Sequence, residues 1–593
     1  MKTLLSITLA AVILTGSMSA SAQQEPLPPG YWPESKSNEI LAKTETIRLA
    51  PDLSSLTPQE QAALKELIEV GQIMQQLYEI SRHHEAKSAL DQLRVLDVKT
   101  RQSKATRNLL DLYRLFQGPI ATTLDNKREA FLPVSPQLPG RNVYPLDATR
   151  EEIDAFLEKY NGERDALLSE RSVVRRVTPN NLRDDLLTLN TFSLLRQLHP
   201  GLDDRLRSLQ SVNDPKTFYS IPYSVAWPDE LTTAYVRLMR AAAALERSDP
   251  EFARYLRNRG RDLITNDYES GDASWVTGHF QHLNAQIGAY ETYDDALYGV
   301  KAFHSMSIML INEQATADLR KALGGLQAIE DALPYAAHKK VREDIPVGIY
   351  EVIADFGQAR GTNTATILPN DPLFSRRYGR TIMLRENIMK NPSIFAADMR
   401  VWKATVGDAQ ANDLADEGNF QRTLWHEIGH YLGVDRDKNG RTLDVALEDY
   451  ADSVEEMKAD LVSLFALQRM NHASLRAIQA SGIRRTLQNV QPRKDQPYQM
   501  MQLLQFNWFV DKGLLTADKN ARLTVHYDKY PEAVTSLLAE VLKLQYEGDK
   551  AATAAFFDKW TKWTPELHEK LAARIRDAQG PRFRIVKYAA LGE

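Results

Sequence analysis

Apolar residues recur at helical spacing over most of this chain. Between residues 64 and 77 they repeat every three or four positions, which predicts an amphipathic helix. Thr57, Pro58 and Glu60 precede this run as a capping box with proline at the first helical position, so the helix is predicted to begin there. The same periodicity predicts a helix opening at Thr149, helices within 229–247 and 283–331, and almost continuous helix from residue 419 onward.

Two short segments, 347–353 and 380–384, differ from this pattern because they are rich in β-branched residues. Runs of that length and composition predict strands. Since strand candidates are so few, the chain is predicted to be mostly helical.

The N-terminal segment has the pattern of an export signal. Met1-Lys2 is followed by an apolar core from Leu4 to Leu14 and by Ala20-Ser21-Ala22, small residues of the type found at a signal-peptide cleavage site. Residues 1–22 are therefore predicted to be a signal peptide that is cleaved after Ala22, which places the mature protein in the periplasm or outside the cell. The apolar core is too short to remain as a spanning helix, so no membrane anchor is expected. Residues 23–50, rich in Pro, Ser and Gln, are predicted to form a tether.

Composition narrows the classes of function. The chain has 593 residues and no cysteine, which excludes thiolate metal ligands, a cysteine nucleophile and disulfide bonds. An exported protein without disulfides depends on a large core, and a chain of this length can bury one. The net charge is only −5 and charges of both signs are interleaved, so no nucleic-acid partner is expected.

His426-Glu427-Ile428-Gly429-His430 is the strongest chemical signal in the sequence. Residues four apart lie on one face of a helix, so both imidazoles can point at one ion. In zinc peptidases with this spacing, the glutamate between the histidines acts as a general base. The sequence therefore predicts one zinc ion per chain, with His426 and His430 as ligands and Glu427 as the base.

A catalytic zinc needs a third protein ligand. A histidine six residues after the second one is a known solution, but that position holds Arg436, which excludes it. The remaining candidates are carboxylates in the acidic segment that follows. Glu456 is predicted as the ligand and Glu455 as the alternative, because both directly precede an apolar stretch and can face inward. The glutamate that does not bind, together with Asp460 one turn later, is predicted to hold the ligands in place.

Residues 435–440 begin like a calcium-binding EF-hand loop, with oxygen-bearing side chains at alternate positions and Gly440 at the sixth. The twelfth position is Ala446, so the bidentate glutamate of such loops is missing. A tight turn at Asn439-Gly440 is therefore favoured over calcium binding.

Four segments together resemble the dipeptidyl peptidase III family of zinc metallopeptidases, in the bacterial form with a five-residue HExxH motif. They read H-E-I-G-H at 426–430, E-E-M-K-A-D at 455–460, E-T-Y-D-D at 291–295 and L-P-N-D at 368–371. The resemblance extends over residues 285–545. It implies two lobes flanking a wide cleft: an N-terminal lobe with a small β-core at 51–372, and a helical zinc-binding catalytic lobe at 373–593.

The resemblance also implies roles for three upstream residues. Tyr293 would donate a hydrogen bond to the oxyanion that develops at the scissile carbonyl. Glu291 would pair with the free α-amine of a short peptide, and Asn370 would bind the substrate backbone, so that dipeptides are released from the N-terminus. From the residues alone, Tyr293 can also be an aromatic on a helix face, Glu291 a surface carboxylate and Asn370 the end of a turn.

One departure from the family bears on activity. Where members carry a histidine and, four residues later, an arginine, this chain aligns Tyr498 and Gln502. Two alternatives to a dipeptidyl peptidase therefore stay open. One is a zinc endopeptidase or other amide hydrolase on the same site, and the other is a zinc-binding protein that has lost catalysis. The intact Glu427 argues against the second alternative, because a site without catalysis has no chemical need for that base.

Overall fold

A computed structural model describes residues 27–593, apart from 213, 215, 342–345, 370, 371 and 495. The predicted signal peptide lies outside the described residues. Thirteen described α-helices precede the central sheet: α1 (Glu34–Leu41), α2 (Pro58–Arg82), α3 (Ala86–Lys99), α4 (Lys104–Phe116), α5 (Arg150–Lys159), α6 (Arg164–Leu167), α7 (Pro179–Thr191), α8 (Ser193–Leu198), α9 (Leu202–Leu209), α10 (Tyr223–Ala226), α11 (Pro228–Leu245), α12 (Pro250–Thr265) and α13 (Glu269–Thr277).

The remaining described helices lie between or after the strands of that sheet. They are α14 (Glu313–Leu323), α15 (Leu326–Glu330), α16 (Pro372–Tyr378), α17 (Glu386–Met389), α18 (Pro392–Thr405), α19 (Asp416–Gly429), α20 (Leu443–Leu447), α21 (Ala451–Arg469), α22 (Leu475–Arg485), α23 (Pro497–Asp511), α24 (Tyr530–Glu547), α25 (Lys550–Trp560) and α26 (Lys570–Ala578). Among the described residues, no helix is both long and apolar enough to cross a membrane.

The described strands are fewer than the described helices. Four two-stranded sheets pair β1 (Thr44–Leu49) with β13 (Phe583–Tyr588), β2 (Ile120–Thr122) with β3 (Arg128–Ala130), β4 (Ser172–Arg176) with β5 (Phe218–Pro222), and β11 (Leu515–Ala517) with β12 (Leu523–Val525). The central sheet has five strands in the order β6 (Leu283–Ala289), β7 (His304–Ile311), β8 (Val347–Gly357), β10 (Thr381–Arg385) and β9 (Ala365–Leu368). Only β8 and β10 are parallel neighbours within it.

The central sheet lies between two hydrophobic cores. Along β10, Met383 belongs to the core built mainly from the helices before the sheet, whereas Ile382 and Leu384 belong to the core built from the helices after it. This alternation is expected of a strand whose two faces are both covered. The prediction of a mostly helical chain with a small β-core is confirmed. The division of the chain at residue 372 stays a prediction.

The sequence-based elements agree with the structure at the strongest signals. Helix α2 begins as predicted: Thr57 Oγ1 accepts a hydrogen bond from the Glu60 amide, and the Glu60 side chain accepts one from the Thr57 amide. Strand β8 contains the predicted segment 347–353, and β10 covers all but the first residue of the predicted segment 380–384.

Two predictions about local structure are wrong. Residues 283–289 and 304–311 were predicted as helix but form β6 and β7. Almost every residue of these strands is buried, including the polar Asn284 and Gln286, which alternate along β6 with Leu283, Ala285 and Ile287. That alternation has the period of a strand and not of a helix. The predicted tether at 23–50 instead contains α1 and β1, because β1 pairs in parallel with β13 at the other end of the chain.

Candidate metal centre

The candidate metal centre lies where helices α19 and α21 pack against each other. Asp416 and Glu417 occupy the first turn of α19, where negative charge complements the helix dipole. At the other end of the helix, Gly429 lies against the backbone of α21. A Cβ atom at Gly429 would lie 2.9 Å from the carbonyl oxygen of Ala459, so glycine allows this close approach. The HExxH segment at 426–430 is thereby held against α21.

Three side chains converge at this crossing. The Nε2 atom of His426 lies 3.2 Å from Oε2 of Glu456, and Nε2 of His430 lies 3.8 Å from Oε1 of the same carboxylate. One ligand atom from each of the three residues lies within 4.8 Å of the others. Two imidazole nitrogens and a carboxylate are a donor set that zinc accepts at a catalytic site.

The other ring nitrogen of each histidine contacts a different carboxylate. Nδ1 of His426 lies 2.9 Å from Oδ1 of Asp460, and Nδ1 of His430 lies 2.9 Å from Oε1 of Glu455. Because a carboxylate accepts a hydrogen bond from the Nδ1–H group, each Nε2 is left to face Glu456. This arrangement fixes the tautomer and the ring orientation that metal ligation requires. The three side chains therefore fit a zinc ion.

Lys458 connects the two helices from a buried position. Its Nζ donates hydrogen bonds to the carbonyl oxygens of Gly429 at 2.9 Å and Leu432 at 2.7 Å, and it lies 2.7 Å from Oε1 of Glu455. Carbonyl groups at the end of a helix have no partner within the helix. The ammonium group thus satisfies the end of α19 and orients the carboxylate that contacts His430.

Electrostatics at the centre favour a bound cation. Burial opposes protonation of His426, but Asp460 and Glu456 outweigh it and raise the pKa of His426 to about 9. Burial likewise opposes ionisation of Glu455, but Lys458 and His430 lower the pKa of that carboxyl to about 2. The pKa of Asp460 is held well below its usual range by Arg485 and His426 in spite of burial. Ionised carboxylates that stabilise a proton at His426 can also stabilise a metal ion there.

A cavity of about 450 Å³ opens beside the centre, and both His426 and Glu427 line it. Gln502 of helix α23 lines the same cavity and accepts a hydrogen bond of 2.6 Å from Nε2 of Gln488. One turn earlier on that helix, Tyr498 is half-exposed. Glu427 thus faces open space next to the converged ligands, as a general base must.

The loop between β6 and β7 carries Glu291 and Tyr293. The half-buried carboxylate of Asp294 and the buried carboxylate of Asp295 hold this loop in place. Oδ2 of Asp294 accepts hydrogen bonds of 2.8 Å from both Tyr78 and Gln358, and Asp295 accepts bonds from four loop amides and from the hydroxyl of Tyr144. These bonds fix the course of the loop and leave the Tyr293 side chain 67% exposed.

Two solved structures have the same overall architecture. The first is dipeptidyl peptidase III from Caldithrix abyssi, with a TM-score of 0.77 and 22% identity over 94% of this chain and 99% of that one. The second is dipeptidyl-peptidase III from Corallococcus sp. strain EGB, with a TM-score of 0.70 and 23% identity over 95% of this chain and 98% of that one. The chain has the dipeptidyl-peptidase III fold. The fold that the sequence resemblance implied is therefore confirmed.

A curated relative gives a second comparison. The chain is 27% identical over 460 residues to a protein of Arabidopsis thaliana named Nudix hydrolase 3. The match covers 75% of this chain and 56% of that protein, so the chain spans about half the length of this relative. No family model matches the chain.

Within the dipeptidyl-peptidase III fold, the structure brings some of the predicted residues together and not others. It brings together the five residues of the candidate centre, because His426 contacts Glu456 and Asp460, and His430 contacts Glu456 and Glu455. The described residues that line the cavity do not include Tyr293 or Glu291.

Asn370, the predicted binder of the substrate backbone, lies outside the described residues. The calcium-like loop closes as a turn, because Oδ1 of Asp437 accepts the amides of Asn439 at 3.0 Å and Arg441 at 2.8 Å.

The sequence predicts no role for five further described residues that contact the centre. They are Lys458, Arg422, Arg485, Gln505 and Gln545, of which Gln545 donates a hydrogen bond of 2.9 Å to Glu455. Two of them had a local signal. Arg422 lies one turn before His426 on the same face of α19, and Lys458 lies three residues after Glu455. The other three come from distant helices and had none.

Proposed function

We propose that this chain is an exported zinc peptidase that hydrolyses short peptides and releases dipeptides from their N-termini. The peptidase activity is supported by the convergence of His426, His430 and Glu456 beside a cavity that Glu427 lines. The release of dipeptides is supported by the dipeptidyl-peptidase III fold together with the E-T-Y-D-D segment at 291–295. Export, to the periplasm or to the outside of the cell, is supported by the sequence of residues 1–22.

The chain's own residues would divide the work as follows. His426, His430 and Glu456 would hold the zinc ion, while Asp460 and Glu455 keep the two imidazoles in the ligating tautomer. When bound, zinc supplies a Lewis acid that activates water and polarises the peptide carbonyl. Glu427 would accept the proton of the attacking water and pass it to the leaving amine, which is general acid–base catalysis by a single carboxylate.

Tyr293 and Glu291 would act on the substrate. Partial desolvation of the hydroxyl and the charges of Asp294 and Glu291 raise the pKa of Tyr293 to about 12, so the phenol keeps its proton at neutral pH. A protonated phenol can donate a hydrogen bond to an oxygen that gains negative charge. Glu291 would contact the α-amine of the peptide, and Asn370 its backbone. A peptide bound between the loop and the metal centre would have these groups close to its reacting bond.

The proposal is tested with the zinc-loaded mature protein and a mixed peptide library, with products read by mass spectrometry. Dipeptides released from free N-termini are the expected products. Glu427→Gln keeps the size of the side chain and all three zinc ligands but cannot accept a proton. It should therefore retain zinc and lose at least about 10²–10⁴-fold in turnover.

Other outcomes separate the alternatives. Internal cleavages in a long unstructured substrate would favour an endopeptidase on the same site. An absence of any product from zinc-loaded wild type would contradict a peptidase. Near-wild-type turnover by Glu427→Gln would contradict the role of that carboxylate.

A further inference from the structure

The cavity beside the metal centre is rich in arginine. Arg422, Arg484 and Arg485 all line it, together with Glu427 and Asp398. An arginine is charged at any physiological pH and presents its donors as a flat fork. Three such groups around one cavity need to be matched with the negative charges that face them.

Arg484 already has a partner. Its Nη2 lies 2.8 Å from Oδ1 of Asp398, and the other oxygen of that carboxylate accepts a hydrogen bond of 3.1 Å from Nδ2 of Asn419. The charges of Arg484 and Asp398 therefore compensate each other within the cavity wall.

Arg422 and Arg485 share one carboxylate. Nη1 of Arg422 lies 3.5 Å from Asp460, and Nε of Arg485 lies 3.4 Å from it. The same carboxylate also accepts the Nδ1–H group of His426 at 2.9 Å. The carboxylate of Asp460 thus faces two guanidinium groups at once. Burial and the nearby Arg485 lower the pKa of Arg422 to about 10, which reflects this crowding of like charges.

Arg422 and Arg485 differ in their exposure and in how many hydrogen bonds their guanidinium groups form. Arg422 is enclosed, with its side chain 13% exposed, and it also donates to Ser481 and Thr423. Arg485 is 32% exposed, and among the described residues none forms a hydrogen bond with its Nη1 or Nη2. Its position in the last turn of α22 suits the helix dipole, but the dipole alone does not require the fork to line a cavity.

We propose that Arg485 binds a carboxylate of the substrate inside this cavity, so that the proposed peptidase prefers peptides that carry a negative charge close to the scissile bond. This inference rests on the proposed function, and it specifies the class of substrate. The two terminal nitrogens of a guanidinium group match the two oxygens of a carboxylate. Glu427 is the remaining carboxylate in the described lining of the cavity, and it is engaged in the proposed proton transfer.

The bound carboxylate can come from two places on a peptide. It can be the C-terminus of a very short peptide, or it can be an acidic side chain next to the scissile bond. Two peptide pairs distinguish them. The first pair is tetra-alanine as the free acid and as the C-terminal amide. The second pair is an amidated tetrapeptide of alanine with glutamate or with glutamine at the third position.

The test compares kcat/KM within each pair on zinc-loaded wild type and on Arg485→Gln. In at least one pair, wild type should cleave the carboxylate-bearing peptide about tenfold faster or more, where tenfold corresponds to about 1.4 kcal/mol. Arg485→Gln should bring that ratio close to one. Arg485→Lys keeps the charge without the fork and should give an intermediate ratio. A merely structural role of Arg485 would slow both members of a pair equally and leave the ratio unchanged.

Arg469→Gln is the matched control, because it removes the same charge from an exposed position at the end of α21. It should leave both ratios as in wild type. Zinc content is measured for each variant, so that a loss of metal is not mistaken for a loss of substrate contact. Equal ratios in wild type and Arg485→Gln, or no preference within either pair, would overturn the proposal.

A measurement of peptide binding tests the role of Arg485 without depending on the proposed peptidase activity. The same pairs are titrated calorimetrically into zinc-loaded Glu427→Gln, with and without Arg485→Gln. Tighter binding of the carboxylate-bearing peptide that disappears with Arg485→Gln would support the site even if wild type cleaved none of the peptides. Equal binding within each pair would refute it.

Discussion

The metal centre and the loop between β6 and β7 hold their functional side chains in different ways. At the candidate metal centre, Nδ1 of each histidine contacts a carboxylate, and those carboxylates are held in turn by Lys458, Arg422 and Arg485. In the loop, Asp294 and Asp295 fix the backbone, whereas the Tyr293 side chain is mostly exposed.

This difference indicates two kinds of preorganisation. The candidate metal centre is ordered down to the side chains, because the Nδ1 atom of each histidine is bonded to a carboxylate. The loop is ordered down to the backbone, and the side chain of Tyr293 is exposed. Changes at the metal centre should therefore alter metal binding, and changes in the loop should alter turnover and substrate choice while leaving the metal in place.

The largest effect is expected from removing the ligands themselves. The double substitution His426→Ala and His430→Ala should abolish zinc binding, because a single carboxylate cannot hold the ion. The zinc content is measured by elemental mass spectrometry after extensive dialysis. Wild type is expected to contain about one zinc ion per chain. Stoichiometric zinc in the double variant would mean that the metal lies elsewhere.

The candidate zinc ligands show which parts of the site can be predicted from local sequence and which depend on the packing of helices. The spacing of His426 and His430 is local, so helical geometry alone predicts their shared face. Which carboxylate faces both histidines depends on how α19 crosses α21, so the sequence predicts Glu456 as the third ligand but keeps Glu455 as the alternative. Strand β6 was missed although its apolar residues alternate with Asn284 and Gln286, which is the strand period within a segment assigned to helix as a whole. The pairing of β1 with β13 has no local signal, because it joins the two ends of the described chain.

The next largest effect is expected in the loop. Tyr293→Phe removes only the hydroxyl of an exposed side chain, so zinc content should be unchanged and the free energy of unfolding should move by no more than about 0.5 kcal/mol. Loss of one oxyanion donor should lower kcat by about 10²–10³-fold. Tyr298→Phe is the control in the same loop. Equal effects of the two substitutions would remove Tyr293 from the reaction.

A smaller effect is expected from the residue that orients His426. Asp460→Asn keeps the shape of the side chain but removes the charge that favours the Nδ1–H tautomer. Zinc affinity should fall by about 10–100-fold, measured by competition with a chelator of known affinity. Asp452→Asn makes the same change at an exposed position of α21 and should have no effect. Wild-type affinity in Asp460→Asn would show that the histidine is oriented without this carboxylate.

The smallest expected effect concerns the N-terminus of the substrate, and it examines the loop most directly. If Glu291 pairs with the α-amine of a peptide, that contact is a charge-assisted hydrogen bond worth about 1.5–3 kcal/mol. Acetylation of the peptide removes the positive charge. The acetylated peptide should then be cleaved at least about tenfold more slowly by wild type, since about 1.4 kcal/mol corresponds to a factor of ten. Glu291→Gln should shrink this difference, because it weakens the contact with the charged amine but not with the acetylated one. Equal rates for both peptides on wild type would discard amine recognition by the loop and would favour the endopeptidase alternative.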